Sequence, residues 1–159
     1  MQFETVAWDD ARALALRSAM DLETGALYAG RSAAQTAGQQ AAVDDALRID
    51  PATIVHTVLL IEDGVPVGHA ALRPWNHELE VKKVFVDASV RGRGLSRALM
   101  VELERVAGER GIPSLILQTG NLQLPAIGLY ESLGYERIET YGKYGAIPAS
   151  VCFRKRLAR

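Results

Sequence analysis

The sequence predicts an α/β fold of the α+β kind, a mixed central sheet with helices on both faces. Three observations carry that expectation. Seven β-rich runs alternate with helical patterns along the 159 residues. Two neighbouring runs meet at Asp63-Gly64, a hairpin turn signal that makes them antiparallel. From Glu78 to Thr119 the order is strand, helix, strand, which a right-handed crossover turns into a parallel pair.

The elements follow in order. Gln2 to Trp8 reads as a first strand. A helix starts after Asp9 or Asp10 as N-cap, with Ala11, Leu14, Ala15 and Leu22 spaced for one face. Gly30 to Ala42, "GRSAAQTAGQQAA", is small, polar and weakly patterned, and is expected to be a mobile connection. A brief helix over Val43 to Arg48 stops before Pro51. Ile54 to Ile61 and Val65 to Arg73 form the hairpin, and Glu78 to Val86 the next strand. Strict alternation there sets Leu79, Val81, Lys83 and Phe85 on one face, and Glu78, Glu80, Lys82, Val84 and Val86 on the other. A helix to about Arg110 buries Leu95, Leu99, Leu103 and Val106 and ends at Gly111 and Pro113. Ser114 to Thr119 is a short strand, and Pro125 opens a helix to about Leu133. Strands near Tyr135 to Tyr141 and Ser150 to Leu157 complete the sheet. The whole chain, 1–159, reads as a single domain.

Composition narrows the function. A net charge of -1 argues against broad nucleic-acid binding, which needs a basic surface. One cysteine, Cys152, excludes an internal disulfide framework and suits a reducing compartment. No apolar run is long enough to cross a bilayer and no leader pattern is visible, so a cytoplasmic location away from membranes is expected. The three histidines, His56, His69 and His77, are dispersed without ligand spacing, and no metal is expected.

The stretch Val90 to Met100, "VRGRGLSRALM", carries the chemistry. Gly92 and Gly94 allow a sharp strand-to-helix turn, and the helix that follows offers unpaired N–H groups and a positive dipole end. Together they suit a phosphate. A dinucleotide fingerprint would need glycine where Arg97 stands, and a nucleoside-triphosphate loop would need Gly-Lys-Ser/Thr.

Arg91-Gly92-Arg93-Gly94-Leu95-Ser96 resembles the Gln/Arg-x-x-Gly-x-Gly/Ala acetyl-CoA signature of the GNAT family of N-acetyltransferases, with Ser96 in the last position. Gln118 to Ile138, "QTGNLQLPAIGLYESLGYERI", is similar to the family's second motif, with Gln123 where many members have Asn. The resemblance implies a mostly antiparallel sheet whose fourth and fifth strands are parallel and splay apart. It implies acetyl-CoA as co-substrate, its diphosphate on the amides of Arg93 to Ser96, with Arg91 and Arg97 screening charge. The pantetheine arm would lie beside Phe85 and Val86, and Gln123 would contact it.

The resemblance also implies transfer to an amine by direct attack in a ternary complex. An amine with pKa about 10.4 arrives as ammonium and needs a base, while the leaving thiolate needs an acid. Tyr130 occupies the family's general-acid position. Glu80, acting directly or through water, is the candidate base. Glu78, Arg73, Trp75 and Tyr144 are candidate contacts for the acceptor, a small-molecule or protein amine. Family members commonly form a homodimer. The rival reading is a non-catalytic acyl-CoA-binding regulatory module, which would have little use for Tyr130 or a strand carboxylate.

Overall fold

The computed structural model describes residues 1–158. Seven strands form one open sheet: β1 (Gln2–Thr5), β2 (His56–Glu62), β3 (Val65–Trp75), β4 (Glu78–Val86), β5 (Ser114–Gly120), β6 (Glu136–Ile138) and β7 (Ser150–Arg156). Their order in space is β1-β2-β3-β4-β5-β7-β6, and every pair is antiparallel except β4–β5. The hairpin turn is where the sequence puts it. Asp63 and Gly64 both have positive φ, and Glu62 pairs with Val65 across the two-residue loop.

Four helices flank the sheet: α1 (Ala11–Ala34), α2 (Ala37–Leu47), α3 (Leu95–Glu109) and α4 (Leu124–Ser132). The amphipathic α3 packs Leu95, Leu99, Leu103 and Val106 against Val58, Leu72, Val81 and Leu117, forming the main core on one face. On the other face Ala13 and Leu16 of α1 meet Leu59, Ile61 and Phe85.

Three expectations need correction. The segment 30–42 is helical, as α1 runs on to Ala34 and α2 starts at Ala37. Alanine-rich sequence without proline favours helix, and the break is set by a capping box. The Thr36 side chain accepts from the Gln39 N–H, and the Gln39 side chain accepts from the Thr36 N–H. Second, the buried face of α1 is Ala13, Leu16 and Arg17, whereas Leu14 and Leu22 are exposed. Third, strict alternation fails in β4. Between His69–Phe85 and Ala71–Lys82 the register gains one residue on β4, and Lys83 has φ +55°. This β-bulge inverts the strand's phase. Leu79 and Val81 face α3, but beyond the bulge it is Val86 that does so, and Phe85 turns to α1.

The same bulge opens the sheet. β4 pairs with β5 only from Leu79–Leu115 to Val81–Leu117 and then leaves it. The resulting V between the strands is where both clefts lie.

Candidate active site

A groove of about 920 Å³ lies beyond the bulge, between Phe85–Val86 and the start of α4, with the start of α3 at its end. Gly92 and Gly94 have φ of 79° and 76°, a left-handed conformation that disfavours any side chain, although a Cβ would meet nothing within 4 Å. The glycines are thus required by backbone shape and not by crowding. Gly94 is the N-cap of α3 and provides no side-chain cap, whereas Asp10 caps α1 and Thr36 caps α2. The first turn of α3 therefore keeps its amides for an external acceptor.

Of the residues expected to hold acetyl-CoA, Phe85, Val86, Arg91, Gly92, Gly94, Leu95, Ser96, Arg97 and Gln123 all line this groove. Arg93 does not; its guanidinium pairs with Glu62 at 2.7 and 3.1 Å. Arg91 donates to the Val86 carbonyl and pairs with Glu23, and Arg97 donates to the Ser132 hydroxyl at 2.7 Å. The contacts to Glu23 and Ser132 are exposed, and an arriving polyanion can exchange them at small cost.

A second cavity, about 590 Å³, lies on the other side of the V, beneath α1 and α2. Its walls are mixed, with Val43, Ile147 and Ala149 beside Lys82, Gln118 and Gln40. The two spaces share Met20, Thr24, Val84, Gln123, Ala126 and Tyr130. The Tyr130 ring packs on Tyr135 and Phe153 with centroids 5.9 and 5.8 Å away. Burial alone pushes its phenol up to about 12.

Glu80 sits outside both spaces. It is 0% exposed, and its oxygens accept from Arg73 Nε at 2.5 Å, Tyr141 at 2.6 Å and Tyr144 at 2.8 Å. The Tyr144 hydroxyl in turn accepts from Lys82 Nζ at 2.7 Å and Arg73 Nη2 at 3.2 Å. The charge of Glu80 holds both tyrosines as donors, and their phenols are raised by burial and by that carboxylate. Glu78 is separate from the cavity too: it accepts from Ser114 and from Arg154 in two bonds, tying β4 to β5 and β7. Trp75 packs on Tyr141 at 5.1 Å and so closely over Gly142 that a Cβ there would lie 2.7 Å from the indole. The geometry thus assembles the expected groove residues except Arg93, and gathers Glu80, Arg73 and Tyr144 into a buried network beside the cavity.

Two functional supports escaped sequence reasoning. His69, 0% exposed, has Nδ1 2.8 Å from the Lys83 carbonyl at the bulge and Nε2 3.1 Å from Arg17 Nη1. Since the guanidinium can only donate, Nε2 accepts and Nδ1 carries the hydrogen. Burial depresses this imidazole to about 4, so it is neutral. Arg17 also donates to the Trp8 carbonyl and lies 3.6 Å over its ring. The second support is Tyr28, whose hydroxyl accepts from the Leu122 N–H where Gly120 leaves room for it. Among the described residues no group of three or more His, Cys, Asp or Glu could hold a metal, and no helix is long and apolar enough to cross a membrane.

The fold and these spaces define an α/β protein with two clefts meeting at one tyrosine, one ending in an uncapped helix N-terminus. The profile of the Acetyltransferase (GNAT) family matches residues 17–135, and the chain belongs to that family. It is 36% identical over 78 residues to an IAA acetyltransferase of Azospirillum brasilense, covering 49% of this chain and 51% of the relative. It is 36% identical over 73 residues to human N-acetyltransferase 8B, covering 46% and 31%. These matches thus span about half the curated relatives' length or less. A Klebsiella pneumoniae structure described as an acyl-CoA N-acyltransferase superposes with a TM-score of 0.79 at 28% identity, over 99% of this chain and 97% of that one. The PaiA N-acetyltransferase of Thermoplasma acidophilum, solved with coenzyme A, shares the fold at TM-score 0.67 and 13% identity, over 98% and 99% of the two chains.

Proposed function

We propose that the protein is an acetyl-CoA-dependent N-acetyltransferase, passing the acetyl group to a primary amine that attacks directly while both substrates are bound. The observation that carries this reading is the position of Tyr130 at the junction of the two clefts. One cleft ends in glycine-turned backbone suited to a diphosphate, and the other is a mixed pocket suited to an acceptor.

Acetyl-CoA supplies the activated acetyl thioester. The amides at the start of α3 take the diphosphate, with Arg91 and Arg97 beside them. Phe85 and Val86, paired with β3 but no longer with β5, form the wall along the pantetheine arm, and Gln123 stands across from them. The Tyr130 hydroxyl holds the proton for the leaving sulfur. Its raised pKa keeps that proton on throughout the physiological range. Glu80, enclosed by three donors, acts as a positioning residue that fixes Tyr144 and Arg73, and the ammonium proton leaves through cavity water.

The test pairs calorimetric titration of coenzyme A with thiol release from acetyl-CoA across a panel of amines. Saturable binding and turnover on at least one amine are expected. Binding without turnover on any amine favours the regulatory module, and absence of binding overturns the reading.

A further inference from the structure

We propose that Lys82 is the anion-recognition point of the 590 Å³ cavity, and that the amine acceptor carries a carboxylate. This rests on the acetyl-transfer reading and extends it to the class of acceptor.

The charges around the cavity do not balance. Lys82 lines it and is only 8% exposed. A desolvated ammonium is expensive unless a negative group compensates it. The nearest carboxylate, Glu80, is already taken by Arg73 and the two tyrosines. Lys82 reaches it only through the Tyr144 hydroxyl, its one hydrogen-bond partner among the described residues. Lys83, the next cation, pairs with Asp21 at 2.8 Å. Arg73 and Glu80 cancel, as do Lys83 and Asp21, leaving Lys82 as the surplus buried charge. The ammonium has three donors and one acceptor, so two N–H groups lack a protein partner.

Other charges at the cavity are placed differently. Arg31 is exposed and bonded to the Asn121 side-chain oxygen, a second cation without a carboxylate partner in the described residues. Asp44, among the described residues the one lining carboxylate outside an ion pair, is exposed and bonded to Gln40. Solvent weakens its field, whereas that of Lys82 acts at low dielectric. The deep end is therefore positive. Aliphatic walls from Val43, Leu47, Ile49 and Ile147 complete a pocket suited to an amino acid with an apolar side chain. Burial lowers Lys82 to about 8 in the free protein, and a bound carboxylate would raise it again.

The experiment compares acetyl transfer to matched pairs, L-leucine with L-leucinamide, L-methionine with L-methioninamide, and 4-aminobutyrate with 4-aminobutyramide. Wild type, Lys82→Met and Lys82→Arg are assayed, and the acid-to-amide ratio of kcat/KM is compared between proteins, so that the differing amine basicities cancel. The wild-type ratio should exceed that of Lys82→Met about tenfold for at least one pair, the order expected of a charge-assisted hydrogen bond, with Lys82→Arg recovering part of it. An unchanged ratio overturns the proposal. So does spermidine as the best acceptor at a rate insensitive to Lys82→Met, which would make Asp44 the recognition point.

A second readout needs no turnover. Titrating 4-methylpentanoate and 3-phenylpropanoate while following the Lys82 side-chain resonance should raise its apparent pKa, and no shift with either acid overturns the proposal. If coenzyme A binds yet no amine is acetylated, this titration still decides the anion site separately from the enzymatic reading. The melting temperature of Lys82→Met should not fall, because an apolar replacement removes a buried charge.

Discussion

The groove and the cavity share Tyr130 but are built from different materials. The groove is made largely of main chain: two left-handed glycines, an uncapped helix start and a strand edge released from its neighbour. Its arginines are exposed and held by replaceable contacts, Arg91 by Glu23 and Arg97 by the Ser132 hydroxyl. The cavity is made of side chains from α1, α2, β4 and the loop before β7, and beside it lie charges almost wholly removed from water. Main-chain sites tolerate sequence change wherever glycine is kept, and under the proposed function this one would recognise a feature common to all acyl-CoA molecules. Side-chain pockets can be altered one residue at a time, and under the same reading this one would carry the choice of acceptor. Both depend on one irregularity, the bulge at Lys83, and the following predictions test how far the two can be separated.

The largest effect belongs to the buried network. Glu80→Gln leaves Arg73 without its counter-charge, and breaking a buried pair in this way should cost about 3 kcal/mol or more of stability. Denaturant unfolding measures it. In the folded fraction, coenzyme A affinity should stay within twofold. A loss of kcat by 100-fold or more at unchanged stability would instead make Glu80 the catalytic base.

Next is the bulge. His69 titrates near 6.5 when unfolded and near 4 when folded, because burial disfavours its charged form. The unfolded chain therefore binds the proton first. Stability from this group is complete above pH 6.5, falls as pH drops toward 4, and is reduced by roughly 3 kcal/mol below that. His69→Gln should flatten this part of the acid limb. If it does, and groove and cavity ligands both bind more weakly, the bulge is the common support; weakening of one ligand alone would separate the two sites.

At the junction, Tyr130→Phe should lower kcat about 100-fold while leaving coenzyme A binding intact, as for loss of a general acid. With the phenol raised to about 12, kcat/KM for an amine without a carboxylate should rise with pH as it deprotonates and show no alkaline decline up to pH 10. For a carboxylate acceptor, the loss of the Lys82 proton near 8 brings a decline that Tyr130→Phe leaves in place. A decline with midpoint below 10 in wild type, absent in Tyr130→Phe, would require a lower phenol pKa and a more open site. In the groove, Gly94→Val forces a β-branched residue to φ +76°, at a strain of about 1–2 kcal/mol. Coenzyme A should bind about tenfold more weakly, with Lys82 still titrating as in wild type.

The contrast between the regions also explains what the sequence could disclose. Gly92 and Gly94 were legible because positive φ leaves few alternatives to glycine, and Tyr130 because it lies in a motif with fixed local spacing. The capping box "TAGQ" was equally readable and marks the α1–α2 break that a count of small polar residues obscures. The phase of β4 beyond Lys82 was not readable, since a lysine with positive φ leaves no mark in the hydrophobic pattern. Nor was the depth of Lys82. A lysine in a strand looks like a solvated face, and it is buried here because Tyr144, sixty-two positions later, folds over it. His69 and Arg17 looked unrelated for the same reason, being joined only when α1 lies across the sheet.

The smallest predicted effect separates the arginines within "VRGRGLSR". All three resemble phosphate ligands in sequence, but only Arg91 and Arg97 line the groove. Arg93 is more than half exposed and turns to Glu62. Arg93→Ala should therefore change the KM for acetyl-CoA by less than twofold, the scale of a surface ion pair. Arg91→Ala should raise it several-fold and reduce the salt dependence of KM, because a cation near the diphosphate attracts it across a distance that salt screens. Equal effects from the two would mean that the groove attracts its ligand through the general field of the loop. Unequal effects would assign the attraction to the guanidinium packed over Phe85, beside the main-chain wall that it helps to hold.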